Sequence, residues 1–175
     1  METRARARLR TALKFLGLFC GLIVIYVLLD FAIDLRPASV QDSYRFDFSP
    51  LAEDEVRILR RDNLSILLIR RSAATLERLQ SGTVDLQDPD SRRSEQPGYA
   101  RNAWRSRQPE IFVSYAIGTD LGCALEVEGE ELGEVCGDAR YDFAGRAIAG
   151  GRQFRNLAIP DYNLNPEFTR LTVRP

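Results

Sequence analysis

Two short stretches, GTDLGC at Gly118–Cys123 and EVCGDARYDFAGR at Glu134–Arg146, decide the fold of this chain. Each stretch carries one cysteine in a setting rich in glycine and acidic residues. The apolar run Ile111–Ile117 leads directly into the first stretch and is predicted to be a strand, as is the segment around Tyr141 and Phe143. Short strands separated by regular turn signals are typical of an antiparallel β domain.

The segments on either side extend this prediction. Glu55–Leu59 and Ser65–Arg70 are expected to form a hairpin with Asp62–Asn63 at the turn. Ser72–Leu79 is predicted to be a short helix that uses its first residue as the N-cap. The long polar segment Gln80–Glu110, rich in Arg, Pro, Ser and Asp, is predicted to be a surface loop. Further strands are predicted at Asn156–Ile159 and Leu171–Val173.

An apolar run near the N-terminus predicts a membrane anchor. Phe15–Ile33 contains a single charge, Asp30, and as a helix it would span about 28 Å, one hydrocarbon core. The residues before it are basic, whereas Asp34 follows it, so the positive-inside rule places the N-terminus in the cytoplasm and the domain outside. A cleaved signal peptide is the competing interpretation, but the run is long for one and lacks a clear cleavage site. The basic residues are Arg4, Arg6, Arg8, Arg10 and Lys14.

These features predict four regions in the chain. Residues 1–14 form a cytoplasmic basic tail, 15–35 the transmembrane anchor, 36–47 a polar neck and 48–175 a β domain. Because the chain has 175 residues, the domain has about 130, enough to bury a core. We expect a single-pass protein of the bacterial inner membrane with its C-terminal domain in the periplasm.

Composition excludes several classes of function. The chain has no histidine and only three cysteines, so the commonest metal ligand is missing and a four-thiolate cluster within one chain is impossible. A net charge of −1 gives no basis for binding nucleic acid. No catalytic triad, P-loop or dinucleotide motif is present, and no cofactor is expected.

The two stretches resemble the cluster-binding loops of Rieske iron–sulfur proteins, which read C-T-H-x-G-C and C-x-C-H-G-S-x-[FY]-D-x-x-G-R. The resemblance runs over nearly the whole chain and is strongest to the Rieske subunit of the quinol–cytochrome c reductase (bc1) complex. It includes the strand ending LLIRR, the LQDP of Leu86–Pro89 and the NLAIPDY of Asn156–Tyr162. The fold that it implies is a set of layered antiparallel sheets with a cluster-binding subdomain, here residues 111–159.

The same alignment implies a degenerate site. Every position that would ligate iron is substituted, and the positions are Gly118, Asp120, Glu134 and Gly137. Positions around the family's cluster also differ: Ala139 replaces the serine that hydrogen-bonds the cluster, and Gly150–Gln153 replaces the Gly-Pro-Ala-Pro loop that shields it, whereas Tyr141 is retained. Two cysteines that the family uses for a disulfide, Cys123 and Cys136, remain. An exported domain favours that pairing over a reactive dithiol or a metal clip.

Two other groups of residues have both an ordinary and a functional interpretation. Asp120, Glu134 and Asp138 could converge as a site for a hard cation, although acidic residues at a loop tip are usually only solvated. The second group is a basic, aromatic segment that is either a solubilising loop or a docking segment for an acidic partner or anionic lipid headgroups. Its residues are Arg92, Arg93, Tyr99, Arg101, Trp104, Arg105 and Arg107.

Together these observations predict a pseudo-Rieske protein that is not an enzyme. Our first hypothesis is a non-redox structural or assembly subunit of a respiratory quinol-oxidising complex, in contact with the bilayer and with subunits of the cytochrome b or cytochrome c1 type. The second is an electron-transfer subunit of the ubiquinol–cytochrome c reductase type with an atypical redox centre. The third is a free-standing exported binding protein.

Overall fold

The computed structural model describes residues 2–34 and 43–174, which fall into two compact units, Met1–Gln41 and Asp42–Pro175. The first unit contains helix α1 (Glu2–Asp34), which takes in both the predicted basic tail and most of the predicted anchor. Over Arg10–Phe31 this helix is long and apolar enough to cross a membrane, and none of that window is buried against protein. Residues 35–42 of the predicted anchor and neck lie outside the described residues.

The described residues of the second unit form nine strands in three antiparallel sheets, so the predicted fold class, mainly β with one N-terminal apolar helix, is confirmed. The sheet orders are β1-β9-β8, β2-β3-β4 and β5-β6-β7. The strands are β1 (Tyr44–Asp47), β2 (Val56–Arg61), β3 (Leu64–Arg70), β4 (Ile111–Tyr115), β5 (Leu125–Glu128), β6 (Glu131–Glu134), β7 (Arg140–Tyr141), β8 (Asp161–Leu164) and β9 (Arg170–Arg174).

The predicted hairpin and helix are both present. Strands β2 and β3 pair with Arg61 opposite Leu64, which leaves Asp62–Asn63 as a two-residue turn with Asp62 at φ 51°. Helix α2 (Ala73–Ser81) begins after Ser72, whose hydroxyl accepts a hydrogen bond from the Thr75 N–H as an N-cap.

The core is centred on strand β3, whose residues Ile66–Ile69 are all buried because β3 lies between β2 and β4. Phe112 and Val113 on β4 join this core, which continues to Tyr141, Leu157 and Val173. One apolar cluster therefore connects the central sheet with the segments that carry the two cysteines.

Several predicted element boundaries are wrong. The last four residues of the predicted neck form β1, paired with β9. Asn156–Ile159 is not a strand; instead the Leu157 N–H donates to the Gly145 carbonyl and Ala158 accepts from Tyr115. Phe143 lies just beyond β7, in a turn.

The predicted surface loop Gln80–Glu110 is partly a buried structure. Its first two residues end helix α2 and, apart from a short 3₁₀ turn at Gly98–Ala100, the rest has no regular helix or strand, yet Asp88, Arg105 and Ser106 are buried. These polar side chains are buried because each hydrogen-bonds to neighbouring chain segments, which compensates for lost hydration.

Candidate functional site

The two cysteine-bearing loops are joined by a disulfide between Cys123 and Cys136, with the two Cα atoms 6.0 Å apart. This is the pairing that the resemblance implied. Backbone hydrogen bonds support it, since the Gly118 N–H donates to Cys123 O at 2.8 Å and the Val135 N–H to Ala124 O at 3.0 Å. The loops therefore meet face to face at one end of the domain.

The carboxylate of Glu134 lies between these loops. Glu134 is the last residue of β6 and is 4% exposed. Its Oε1 accepts hydrogen bonds from the N–H groups of Leu121, at 2.9 Å, and Cys123, at 2.7 Å. Its Oε2 accepts from the Asp120 N–H at 3.2 Å. One buried carboxylate thus satisfies three backbone donors of the opposite loop.

The two glycines of the degenerate site lie against this carboxylate. A Cβ added at Gly118 would overlap the carboxyl group of Glu134 and lie 2.7 Å from its Cγ. A Cβ added at Gly137 would lie 3.2 Å from Asp120 Oδ2 and 3.6 Å from Glu134 Cδ. The structure therefore brings all four predicted positions together, with two glycines packed around two carboxylates.

Asp120 has a cationic partner that the sequence did not reveal. Its side chain is only 4% exposed, and Oδ1 lies 3.0 Å from Nη2 of Arg152, whose side chain is 64% exposed. Arg152 belongs to the segment Gly150–Gln153, which the Rieske resemblance aligns with the family's shielding loop. The only sequence signal for this pair was the coincidence of an arginine in that loop with an aspartate at a ligand position.

Tyr141 links the site to the core. The Thr119 N–H donates to the Tyr141 hydroxyl at 2.8 Å, and the two hydroxyl oxygens lie 3.0 Å apart. Burial, which disfavours the phenolate, raises the pKa of Tyr141, although the hydrogen bonds with Thr119 oppose that shift. Tyr141 is therefore a neutral hydrogen-bonding group that fixes the first loop.

The three carboxylates of the alternative cation-site interpretation do not form one cluster among the described residues. Asp120 and Glu134 are adjacent, but Asp138 is exposed, Asp120 faces Arg152 and Glu134 is saturated by N–H donors. Ligand atoms of Cys123, Glu134 and Cys136 lie within 4.8 Å of one another, but the two sulfurs are bonded to each other and offer no thiolate.

The arginines of the predicted docking segment have separate roles. Arg105 is fully buried, and its guanidinium donates to the carbonyls of Ala144, Gly145 and Leu157. Arg107 lies 3.7 Å from the centre of the Tyr99 ring and pairs with Asp161. Arg93 donates to Gln87 O, so only Arg92 and Arg101 remain largely free in solvent.

The comparisons with known proteins agree with the motif. No protein-family model matches the chain. Over 109 residues the chain is 32% identical to the ubiquinol–cytochrome c reductase iron–sulfur subunit of Allochromatium vinosum, an alignment that covers 55% of this chain and 53% of the relative. The chain therefore spans about half the length of the curated relative it matches. The resemblance to iron–sulfur subunits of this complex is confirmed.

A solved structure was also matched. A chain of a hyperthermophilic respiratory Complex III is similar with a TM-score of 0.46 and 17% sequence identity, and the match covers 91% of this chain and 96% of that one.

Proposed function

We propose that this chain is a membrane-anchored, Rieske-like subunit of a respiratory quinol-oxidising complex that acts through contacts and carries no iron–sulfur cluster. The observation that carries the proposal is the position of the Glu134 carboxylate, which fills the space beside Gly118 and is held there by three backbone N–H groups.

The residues present do not fit a Rieske cluster. Such a centre needs two thiolates and two imidazoles. The four positions offer two carboxylates and two glycines, which have no side-chain ligand atom, and the nearby cysteines are committed to their disulfide. Moreover, a cysteine at residue 118 would overlap Glu134. We therefore derive no electron-transfer step through this site.

The retained framework supports a binding role. The disulfide, the Glu134 hydrogen bonds and the Tyr141–Thr119 contact maintain the loop geometry without a cofactor. Leu121 and Val135, which flank the disulfide, are more than half exposed and give this end of the domain an apolar surface. Such a surface fits contact with partner subunits, for which cytochrome b and cytochrome c1 types are our candidates.

The proposed arrangement keeps the four regions of the sequence analysis, with residues 1–14 in the cytoplasm and the β domain in the periplasm of a bacterial inner membrane. It rests on helix α1 and on the basic residues at its start. A C-terminal alkaline phosphatase fusion should be active, and the chain should resist extraction by alkaline carbonate. If a C-terminal fusion were active only with a reporter that works in the cytoplasm, the β domain would not lie in the periplasm.

Iron content tests the absence of a cluster. Full-length protein isolated anaerobically from membranes should contain no stoichiometric iron and give no Rieske-type signal in low-temperature electron paramagnetic resonance. One cluster per chain would overturn the proposal and return the chain to electron transfer.

Deletion tests the structural role. Loss of the gene should lower the abundance of the assembled complex while turnover per assembled complex stays near normal. A fully assembled complex without quinol oxidation would instead indicate a redox role. Migration of the tagged protein as a lone species in native gels of mild-detergent membranes would favour a free-standing binding protein.

A further inference from the structure

A cleft in the described domain is lined mainly by the segment that sequence analysis predicted to be a surface loop, together with Arg146 at the end of the second cysteine-bearing stretch. It encloses about 680 Å³. Three of its lining residues are arginines, and its other polar lining residues include donors as well as a single carboxylate, that of Asp90. The polar lining residues are Asp90, Ser91, Arg92, Gln96, Arg101, Asn102 and Arg146.

The walls of this cleft are fixed by side-chain hydrogen bonds. The Asp88 carboxylate accepts from the N–H groups of Arg92, at 2.8 Å, and Arg93, at 3.0 Å, which sets one wall. Asn102 sets the other: its Oδ1 accepts from the Trp104 N–H at 3.0 Å and its Nδ2 donates to Ser106 O at 2.8 Å. The cleft is therefore preorganised.

Two neutral polar side chains in the cleft, those of Gln96 and Ser91, have a donor without a partner among the described residues. Gln96 Oε1 accepts from Arg105 Nε at 3.1 Å, so the amide is oriented and its Nε2 is available to donate. Ser91 Oγ accepts from Asn156 Nδ2 at 2.9 Å, so its hydroxyl proton is available too. Each of these oxygens already accepts a hydrogen bond from the surrounding protein, so the Gln96 amide and the Ser91 hydroxyl can each offer a donor to a ligand.

The three arginine side chains that line the cleft also have N–H donors that, in the described part of the chain, bind no other group or bind one only weakly. Among the described residues, the exposed side chain of Arg101 has no hydrogen-bond or ion-pair partner. Arg92 pairs only with Asp90 at 3.2 Å, and both groups are highly exposed, so that pair is weak. Arg146 uses Nε for Asp142 and Nη2 for Leu79 O, and its Nη1 has no partner in the described structure.

We propose that this cleft binds a phosphate group, with Arg101 and Arg92 as its principal cationic contacts and Arg146, Gln96 and Ser91 as further donors. A phosphate offers several oxygens to several donors, and planar guanidinium groups bind it through paired hydrogen bonds. It would displace Asp90 from Arg92 at little cost. The phosphate could be free or part of an anionic lipid headgroup. This inference does not depend on the proposed assembly role.

The test uses full-length protein in an uncharged detergent. Inorganic phosphate is titrated by calorimetry against chloride at matched ionic strength, while fluorescence follows Trp104, the only tryptophan and the neighbour of the cleft residue Ala103. Phosphate should release or absorb heat saturably and change the Trp104 emission, whereas chloride should do neither.

Variants locate the site. Arg101→Ala should raise the apparent Kd about tenfold or more, and Arg101→Lys should weaken binding less, since an ammonium keeps the charge but not the fork. Arg60→Ala, which removes an exposed arginine from β2 outside the cleft, should leave the Kd unchanged. Equal affinities in Arg101→Ala and the unmodified chain would overturn the proposal.

A second experiment with lipids distinguishes free phosphate from the phosphate of a lipid headgroup. The chain is reconstituted in nanodiscs of phosphatidylcholine with or without phosphatidylglycerol. A Trp104 shift that needs phosphatidylglycerol and is lost in Arg101→Ala identifies a headgroup, whereas saturable binding of inorganic phosphate alone identifies a free phosphate. No response of Trp104 or of the calorimeter to either probe would refute the site.

Discussion

The carboxyl group of Glu134 occupies the volume that any side chain at Gly118 would need. It is fixed there because its two oxygens accept three N–H groups of the Asp120–Cys123 segment. The Rieske resemblance aligns both positions with ligand cysteines, whereas here the missing side chain at Gly118 leaves the space that the Glu134 carboxylate fills.

Gly118→Ala should therefore destabilise the domain by about 1–3 kcal/mol. The added methyl group forces Glu134 to leave its position, and Glu134 can leave only by giving up hydrogen bonds that no water can easily replace in a buried site. Thermal unfolding of the full-length protein, followed by Trp104 fluorescence, measures the effect.

Gly98→Ala is the matched control, because a Cβ there meets nothing within 4 Å. It should change stability by less than about 0.5 kcal/mol. If Gly118→Ala were as stable as Gly98→Ala, the Glu134 carboxylate would not be locked in place.

Arg105→Ala should be strongly destabilising, by about 3 kcal/mol or more, because three buried carbonyls lose their donor and a large side chain leaves a cavity. Burial lowers the pKa of Arg105 to about 10, so the guanidinium remains charged at neutral pH. Arg105→Lys should recover only part of the loss, since one ammonium cannot reach the same carbonyls as the fork.

Arg60→Ala serves as the control for removing an arginine, because its side chain is exposed. We expect its melting temperature to match that of the unmodified chain. If Arg105→Ala changed the melting temperature as little as Arg60→Ala does, the buried guanidinium would make no net contribution to stability.

The elements predicted correctly were those with strong local signals. The β2–β3 hairpin had apolar runs around Asp62–Asn63, and α2 had Ser72 as a cap. By contrast, the hairpin β5–β6 was missed although it turns at Gly129–Glu130, because its exposed positions are acidic and its apolar positions few.

The sequence predicted which residues form the site but not which hydrogen bonds and ion pairs they make. The motif alignment indicated which residues would meet, since the fold brings the two loops together. It could not show that Glu134 would saturate the opposite backbone or that Arg152 would pair with Asp120, because both depend on side-chain placement across loops distant in sequence. Likewise, Arg105 was counted as a surface charge because burial of an arginine depends on carbonyls from three other positions.

Asp88 should make the free energy of unfolding depend on pH. Burial alone would raise the pKa of this carboxyl, but hydrogen bonds from Ser94 and from the backbone of Arg93 and Arg92 outweigh burial and lower it below the usual 3.8. A group whose pKa is lower in the folded state stabilises the fold above its unfolded pKa and loses that contribution as the pH falls through the folded value.

Asp88→Asn should accordingly be less stable than the unmodified chain at pH 7, and the difference should shrink as the pH falls below about 4. Urea unfolding at a series of pH values measures both chains. Asp90→Asn, which alters an exposed neighbour, controls for the change in net charge. A difference between Asp88→Asn and the unmodified chain that stays constant down to pH 2 would exclude titration of Asp88 as its source.

The Asp120–Arg152 pair should contribute more than other arginine–aspartate pairs on this surface. Removing the arginine in Arg152→Ala leaves a carboxylate that is 4% exposed without its cation, which should destabilise the domain by about 1–3 kcal/mol. Arg170→Ala breaks a pair of the same residue types whose aspartate, Asp47, is 66% exposed, and it should destabilise the domain less than Arg152→Ala does. High salt should distinguish the two variants further, because salt screens exposed charges more than buried ones. In 1 M NaCl the destabilisation caused by Arg170→Ala should vanish, while most of that caused by Arg152→Ala should persist. Equal effects of the two variants, or equal loss of both effects in salt, would mean that Asp120 behaves as an ordinary surface carboxylate that is open to water.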